Sequence, residues 1–252
     1  MTSFRNKLIS TVAWACMPLT LGILASSGGG GGAAAFTVEY VSSHTLTTNV
    51  SSYVFPATID FGAEDPAREI FVVITATTGG TERSLTIANC RINGIVPVKA
   101  TTSYAYNGTL NINCMFATVP TGTTGMAITV AYAGAMANCT IHVFRVVNRP
   151  GIGTNQSSGD NNDGDGGTTT STVNAVTVGV NQFMLAGHMH QSIEKTTWPT
   201  VPPGMTLKSE SSVESNRNDA GFAPIQANLS TPTMVWSWNG TANNKAVAWA
   251  FG

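Results

Sequence analysis

The chain has 252 residues, a net charge of -1 and only 10% charged residues, against roughly 25% in an ordinary soluble domain. That length holds one large domain or two small ones, and with no basic cluster beyond Arg5 and Lys7 it excludes an electrostatic nucleic-acid footprint. A surface rich in Thr, Ser, Asn, Gly and Ala suits a protein whose faces are largely covered by neighbours rather than a free monomer kept soluble by charge.

Residues 1–35 do not read as β structure. Phe4-Arg5-Asn6-Lys7 is a small basic start, residues 8–25 are almost uniformly apolar apart from Pro18 and Gly22, and a glycine run (28–32) and three alanines follow. One reading is a secretory signal peptide with its exit near Ala25-Ser26-Ser27. A membrane span is disfavoured, because about 20 clean apolar residues are needed and Pro18 breaks the run. The other reading is an assembly anchor retained by the chain, since a helix apolar all round has to be covered by partner helices, a membrane or a socket. Its apolar contacts would come from Phe4, Leu8, Ile9, Val12, Trp14, Leu19, Leu21, Ile23 and Leu24, with the glycine run as a joint.

Residues 36–148 carry strand signals throughout. Residues 69–75 (EIFVVIT) are apolar on both faces, which predicts a central buried strand. Residues 84–87 and 92–99 are expected to flank it, with turns at Gly79-Gly80 and Asn93-Gly94; further strands are expected at 110–116, 126–132 and 140–147. Short strands at this spacing, separated by Gly, Pro and Asn, predict an all-β sandwich of jelly-roll or immunoglobulin-like type. Residues 149–170, rich in Gly, Asp, Asn and Thr, read as a linker with no apolar area to bury.

Residues 171–252 read as a second sandwich. Strands are expected at 173–180 and 182–189, a proline-rich loop at 198–205, and a closing hairpin from 233–238 and 246–251. In the last strand Val247, Trp249 and Phe251 share one face and are expected in the core. Ala246, Ala248 and Ala250 share the other, free to lie flat against another layer.

The second unit echoes the first. At an offset of 106 residues Tyr132 falls on Trp238, Gly134 on Gly240, Asn138 on Asn244, Ile141 on Val247 and Val143 on Trp249. Self-similarity at domain period means one β unit used twice.

Chemistry-bearing residues are sparse. Of the four cysteines, Cys16 lies in the apolar head and Cys90, Cys114 and Cys139 in the first unit. This excludes a disulfide framework shared by both units and fits buried free thiols, one bridge among the three being the alternative. Asn161-x-Asp163-x-Asp165-Gly166 opens like a calcium loop, but Thr172 stands where the bidentate Glu belongs. His188 and His190 share a strand face at a spacing zinc uses, yet a third ligand is needed and the candidates are only His142, His44 and scattered acids; a solvated or interface strand face is the expected setting. There is no GxSxG, P-loop or dinucleotide fingerprint, and no pair of placed carboxylates. The reading is therefore non-enzymatic, with no metal and no cofactor. Trp236 and Trp238 share a face that would permit a sugar-stacking platform, but they are expected to fill the small core. Trp198, in the proline-rich loop, is the better exposed contact.

The layout resembles the small virion proteins of tailed bacteriophages, of tail-fibre or head-decoration type. The resemblance rests on the glycine run at 28–32, the strand at 68–75 (REIFVVIT) after Phe61-Gly62, the Asn93-Gly94 turn before Val96, and the hairpins around Gly134 and Gly240. It implies a structural or adhesive component of the virion, assembled in the host cytoplasm as a homotrimer or symmetric ring. It also implies contact with other virion proteins through residues 1–35 and with a host-surface glycan or protein outward. The leading expectation is a tail-associated fibre or host-contact protein. The alternatives are a head decoration or spike protein and a secreted carbohydrate-binding module.

Overall fold

The computed structural model describes residues 36–78, 83–100, 105–106, 110–149, 156–160, 168–173, 178, 182–191, 197–200, 206–213, 216–226, 234–242 and 244–252. Among these the chain is nearly all β, as the alternation predicted. The first unit comprises β1 (Thr37–Leu46), β2 (Val50–Ile59), β3 (Arg68–Thr77), β4 (Arg91–Ile92), β5 (Val98–Lys99), β6 (Ala105–Tyr106), β7 (Leu110–Thr118), β8 (Met126–Met136) and β9 (Asn138–Val147). The second comprises β10 (Gln156–Asp160), β11 (Thr168–Val173), β12 (Gln182–His190), β13 (Thr197–Thr200), β14 (Thr206–Val213), β15 (Asn216–Gln226), β16 (Met234–Ala242) and β17 (Asn244–Phe251).

Both units wrap the same way. The first places β1-β9-β3-β7-β5 in a large sheet and β2-β8-β4 in a small one; the second places β10-β17-β12-β15-β14 and β11-β16-β13. β5 and β6 pair with successive stretches of β7 and act as one interrupted strand. With that count, the order 1-8-3-6-5 over 2-7-4 recurs in both halves. This is a jelly-roll wrap, with the fifth strand moved to the free edge of the large sheet.

The structure moves several sequence-based boundaries. β3 is flanked by β7 and β9 rather than by residues 84–99. Leu85 makes only an isolated bridge to Tyr132, and Ile87–Asn89 form a 3-10 turn. Residues 92–99 break at Asn93-Gly94, both with positive φ, into β4 and β5 on different sheets. The expected hairpins around Gly134 and Gly240 are not hairpins: β8 and β16 lie in the small sheets, while β9 and β17 lie in the large ones. Each of these strand pairs therefore turns a corner across its own sandwich. Within the supposed linker, Gln156–Asp160 pair with β17 along its free edge, and β11 begins at Thr168. Backbone pairing asks nothing apolar of an edge strand, so composition concealed it. Part of the supposed proline-rich loop is β13, paired with β16.

The two large sheets pack face to face. β12 crosses β3 and β7, β17 lies over β6 and β7, and β14 lies against β1 and β9. Three apolar layers result. The first sandwich encloses Ile70, Val72 and Ile74 of β3 with Tyr53, Phe55, Ile128 and Val130 of the small sheet. The second sandwich encloses Met184, Ala186, Trp236 and Ala246, Ala248 and Ala250. Between the units, Phe71, Val73, Ile112, Phe116 and Phe144 meet Phe183, Leu185, Val247, Trp249 and Phe251. β3 is apolar on both faces because each face lines a different core.

This arrangement reverses the expectation for β17. Its aromatic face lies between the units, and its alanine face lines the second sandwich, where small side chains leave room for Trp236. The repeat also slips by one residue at the corner. Val130 of β8 and Trp236 of β16, matched at the offset of 106, both face their own cores. One strand later, Val143 faces the first core while its match Trp249 faces the interface. Cross-strand pairing shows the true correspondence: Phe71 sits opposite Phe144, and Phe183 sits opposite Phe251. A single-residue slip exchanges the two faces of a strand.

Candidate functional site

The anchor residues Phe4, Leu8, Ile9, Val12, Trp14, Leu19, Leu21, Ile23 and Leu24 lie outside the described residues, as do Asn161, Asp163 and Asp165. Trp198 lies on β13, not in a loop; its side chain is outside the described set. Trp236, His188 and His190 are brought inward, and the Trp238 side chain is outside the described set. Trp236 is fully buried, as expected of a core residue. His188 and His190 are also fully buried, which corrects their assignment to a solvated or interface face. They alternate with Phe183, Leu185 and Met189, which face the interface, so they enter the second sandwich. His188 stacks on Trp236 at 5.1 Å between ring centroids and lies 5.4 Å from His190. Among the described residues no group of three His, Cys, Asp or Glu is placed to hold a metal ion.

Cys90, Cys114 and Cys139 are buried free thiols. Burial pushes all three thiols above their ordinary value, so at neutral pH they are protonated and are not nucleophiles. Cys90 is held further by Ala131, whose N–H donates to its Sγ at 3.3 Å. Tyr53 is pushed up to about 12, first by burial and then by Cys139; its hydroxyl, with one proton to donate, lies between the carbonyls of Thr48 and Met136 at 2.8 and 2.5 Å.

Two arginines that composition did not single out organise one end of the molecule. Arg68, fully buried at the start of β3, donates from Nε to Val119 O at 2.7 Å. Its Nη1 reaches the carbonyls of Phe61, Gly62 and Ala63 at 3.4, 2.7 and 2.9 Å. Its Nη2 reaches Thr121 and Gly122 at 3.0 and 2.6 Å. One guanidinium thus ties the loop before β3 to the loop after β7. Glu64 closes the same pair of loops by accepting the Gly122 N–H at 2.7 Å. Burial, then Arg145, lowers the Arg68 pKa, while Glu64, Asp65 and Asp60 oppose the shift. The only sequence signal was a charge at the head of an apolar strand.

Arg149 closes the rim of the interface. It forms a bidentate pair with Glu69, at 2.6 and 2.9 Å, and lies over the rings of Phe71 and Phe116. Its Nη1 also donates to Gly252 O of the second unit at 3.4 Å. Phe36, the first described residue, packs on Phe183 at 5.6 Å. The segment leading to residues 1–35, the start of the interunit connection and the last residue therefore gather at one end of the shared core.

The large apolar side chains exposed among the described residues are Val54, Ile95, Val96 and Val98; Ile95 and Val96 lie in the connection between β4 and β5, and Val98 opens β5. No helix among these residues is long and apolar enough to cross a membrane. Compared with protein-family models, with curated proteins and with solved structures, the chain gives no match in any of the three.

Proposed function

We propose that the chain is a non-enzymatic structural protein of a bacteriophage particle, a tail-associated fibre or host-contact protein held by residues 1–35. The observation that supports this most is the fusion of two like sandwiches through a buried aromatic layer, with the anchor segment joined to the chain at Phe36 on that layer. A load passed through the head would reach both units at once. The low charge fits a protein surrounded by neighbours. The buried, protonated thiols and the core position of His188 and His190 leave these groups to packing. The burial of Trp236 argues against the paired-tryptophan platform of a secreted sugar-binding module.

The test is deletion of residues 1–35 in the phage, followed by quantitative mass spectrometry of purified tails and heads. The expected result is loss of the protein from tails while the truncated chain keeps the urea midpoint of the full chain. Incorporation at the full-length copy number overturns the anchor. Recovery of the full-length protein in heads alone makes it a decoration protein.

A further inference from the structure

The connection between β4 and β5 is a built feature. Ile92 and Ile95 exchange backbone hydrogen bonds at 2.9 and 3.0 Å across Asn93-Gly94. The φ values of these two turn residues are 50° and 78°, as a two-residue type I′ turn requires. The Asn93 N–H is tied to Ala127 O at 2.9 Å. Ile95 and Val96, which follow the turn, and Val98, which opens β5, are exposed to solvent at 39%, 53% and 57%. Among the described residues the only other exposed large apolar side chain is Val54, so three exposed aliphatic residues within positions 95–98 mark a contact site.

Its position relative to the head follows from the sheet register. Val98 pairs with Phe116, Phe116 with Phe71, Phe71 with Phe144 and Phe144 with Tyr40. Four strand spacings are about 19 Å, and the run from Tyr40 back to Phe36 adds about 13 Å along the strand, so Val98 lies about 23 Å from Phe36. Ten residues, 26–35, separate Phe36 from the apolar run. Ten residues reach at most about 33 Å, and glycine-rich spacers of that length average about 17 Å end to end. A tether whose mean length is close to the span gives the tethered group its highest effective concentration.

We infer that Ile95, Val96 and Val98 form a resting site for the apolar head of the same chain, residues 8–25, occupied before the head is taken up by the particle. This rests on the reading of the head as a retained anchor and adds how an unassembled chain keeps that head from solvent and from other heads. The contact is small, so it is released when a larger socket covers the head.

The native Cys16 allows a direct test on the full chain, because Cys90, Cys114 and Cys139 are buried. Val96→Cys is compared with Val54→Cys, an exposed site on the outer face of the small sheet, after treatment with a short bis-maleimide at low protein concentration. The expected result is an intramolecular link from Cys16 to the introduced thiol in Val96→Cys, at about tenfold the yield of Val54→Cys. Equal yields, no link, or links mainly between two chains overturn the resting site. Intact mass separates the two ideas: loss of residues up to about Ser27 defeats the retained anchor itself, and the resting site with it. A full-length chain that does not link defeats the resting site alone.

Discussion

Arg68 shows how one side chain can replace a network. Loops that leave a sheet expose carbonyls that must be satisfied when buried, and here the five N–H groups of one guanidinium serve those of Gly62, Ala63, Val119, Thr121 and Gly122, with Phe61 O at the edge of reach at 3.4 Å. Arg68→Met keeps the length of the side chain but leaves those acceptors without their donor. Urea unfolding is expected to show a loss of about 3–5 kcal/mol; a loss below about 1 kcal/mol would mean that water replaces the guanidinium without cost. The buried thiols set an alkaline limit. The ordinary thiol value is 9.0, and burial raises that of Cys114 in the folded chain. Above about pH 9 the unfolded chain gives up the proton while the folded chain keeps it, so stability present below that pH is lost as pH rises. The same sign holds for Cys90, Cys139, Tyr53 and Tyr132, all raised chiefly by burial. The urea midpoint is expected to fall between pH 8 and pH 10.5, and less steeply in Cys114→Ala. A flat profile would sink this account.

At the scale of strands, the interface depends on a close approach at β12. A Cβ added to Gly187 would lie 2.9 Å from Ile112 Cγ2 and 2.9 Å from Val73 Cγ1, branched side chains of the facing sheet. Both are fully buried and have little room to give. Gly187→Val is therefore expected to cost about 1–3 kcal/mol through overpacking and to loosen the contact between units before either sandwich unfolds. Hydrogen exchange would show it as faster exchange in β3 and β12 than in β8; uniform protection would place the strain elsewhere. β1 carries a related device. Phe36, Val38 and Tyr40 pack toward the interface, whereas Val41 and Leu46 pack toward the first core. The register shift between Tyr40 and Ser42 changes which alternate residues face inward.

At the scale of the whole molecule, the shared aromatic core couples two units that each resemble an independent domain. Phe71 contacts Phe183 at 5.3 Å and Phe251 at 4.8 Å, and Arg149 seals the rim with its pair to Glu69. Parting the units would expose these rings to water, at about 25 cal/mol per Å² of apolar surface. The full chain is accordingly expected to unfold in one calorimetric transition, with calorimetric and van't Hoff enthalpies in agreement. Two resolved transitions would show that each unit stands alone. The same coupling underlies the proposed role, since a chain that bears load through one end benefits from sandwiches that share a core.

Much of this was legible along the chain because it depends on local pattern. The run from Glu69 to Thr75 has no wholly polar face, so it had to be covered on both sides, and every residue of it after Glu69 is buried. The duplication of a β unit was likewise visible in residue types and spacing. What local pattern could not decide was the partner of each face. Val247, Trp249 and Phe251 read as the core of a sandwich but close the space between two, because alternation marks which residues turn inward and not what they meet. The strand at Gln156–Asp160 was hidden because an edge strand is held by backbone hydrogen bonds, which composition does not record. His188 and His190 read as residues of a solvated or interface face because burial of an imidazole depends on what stacks upon it, and Trp236 arrives from a strand more than forty residues later. Sequence alone determined that the chain is β, duplicated and poor in charge, since these follow from residue identity and period. Tertiary structure alone decided which face is core and which joins the units, since that is settled by contacts between strands far apart along the chain.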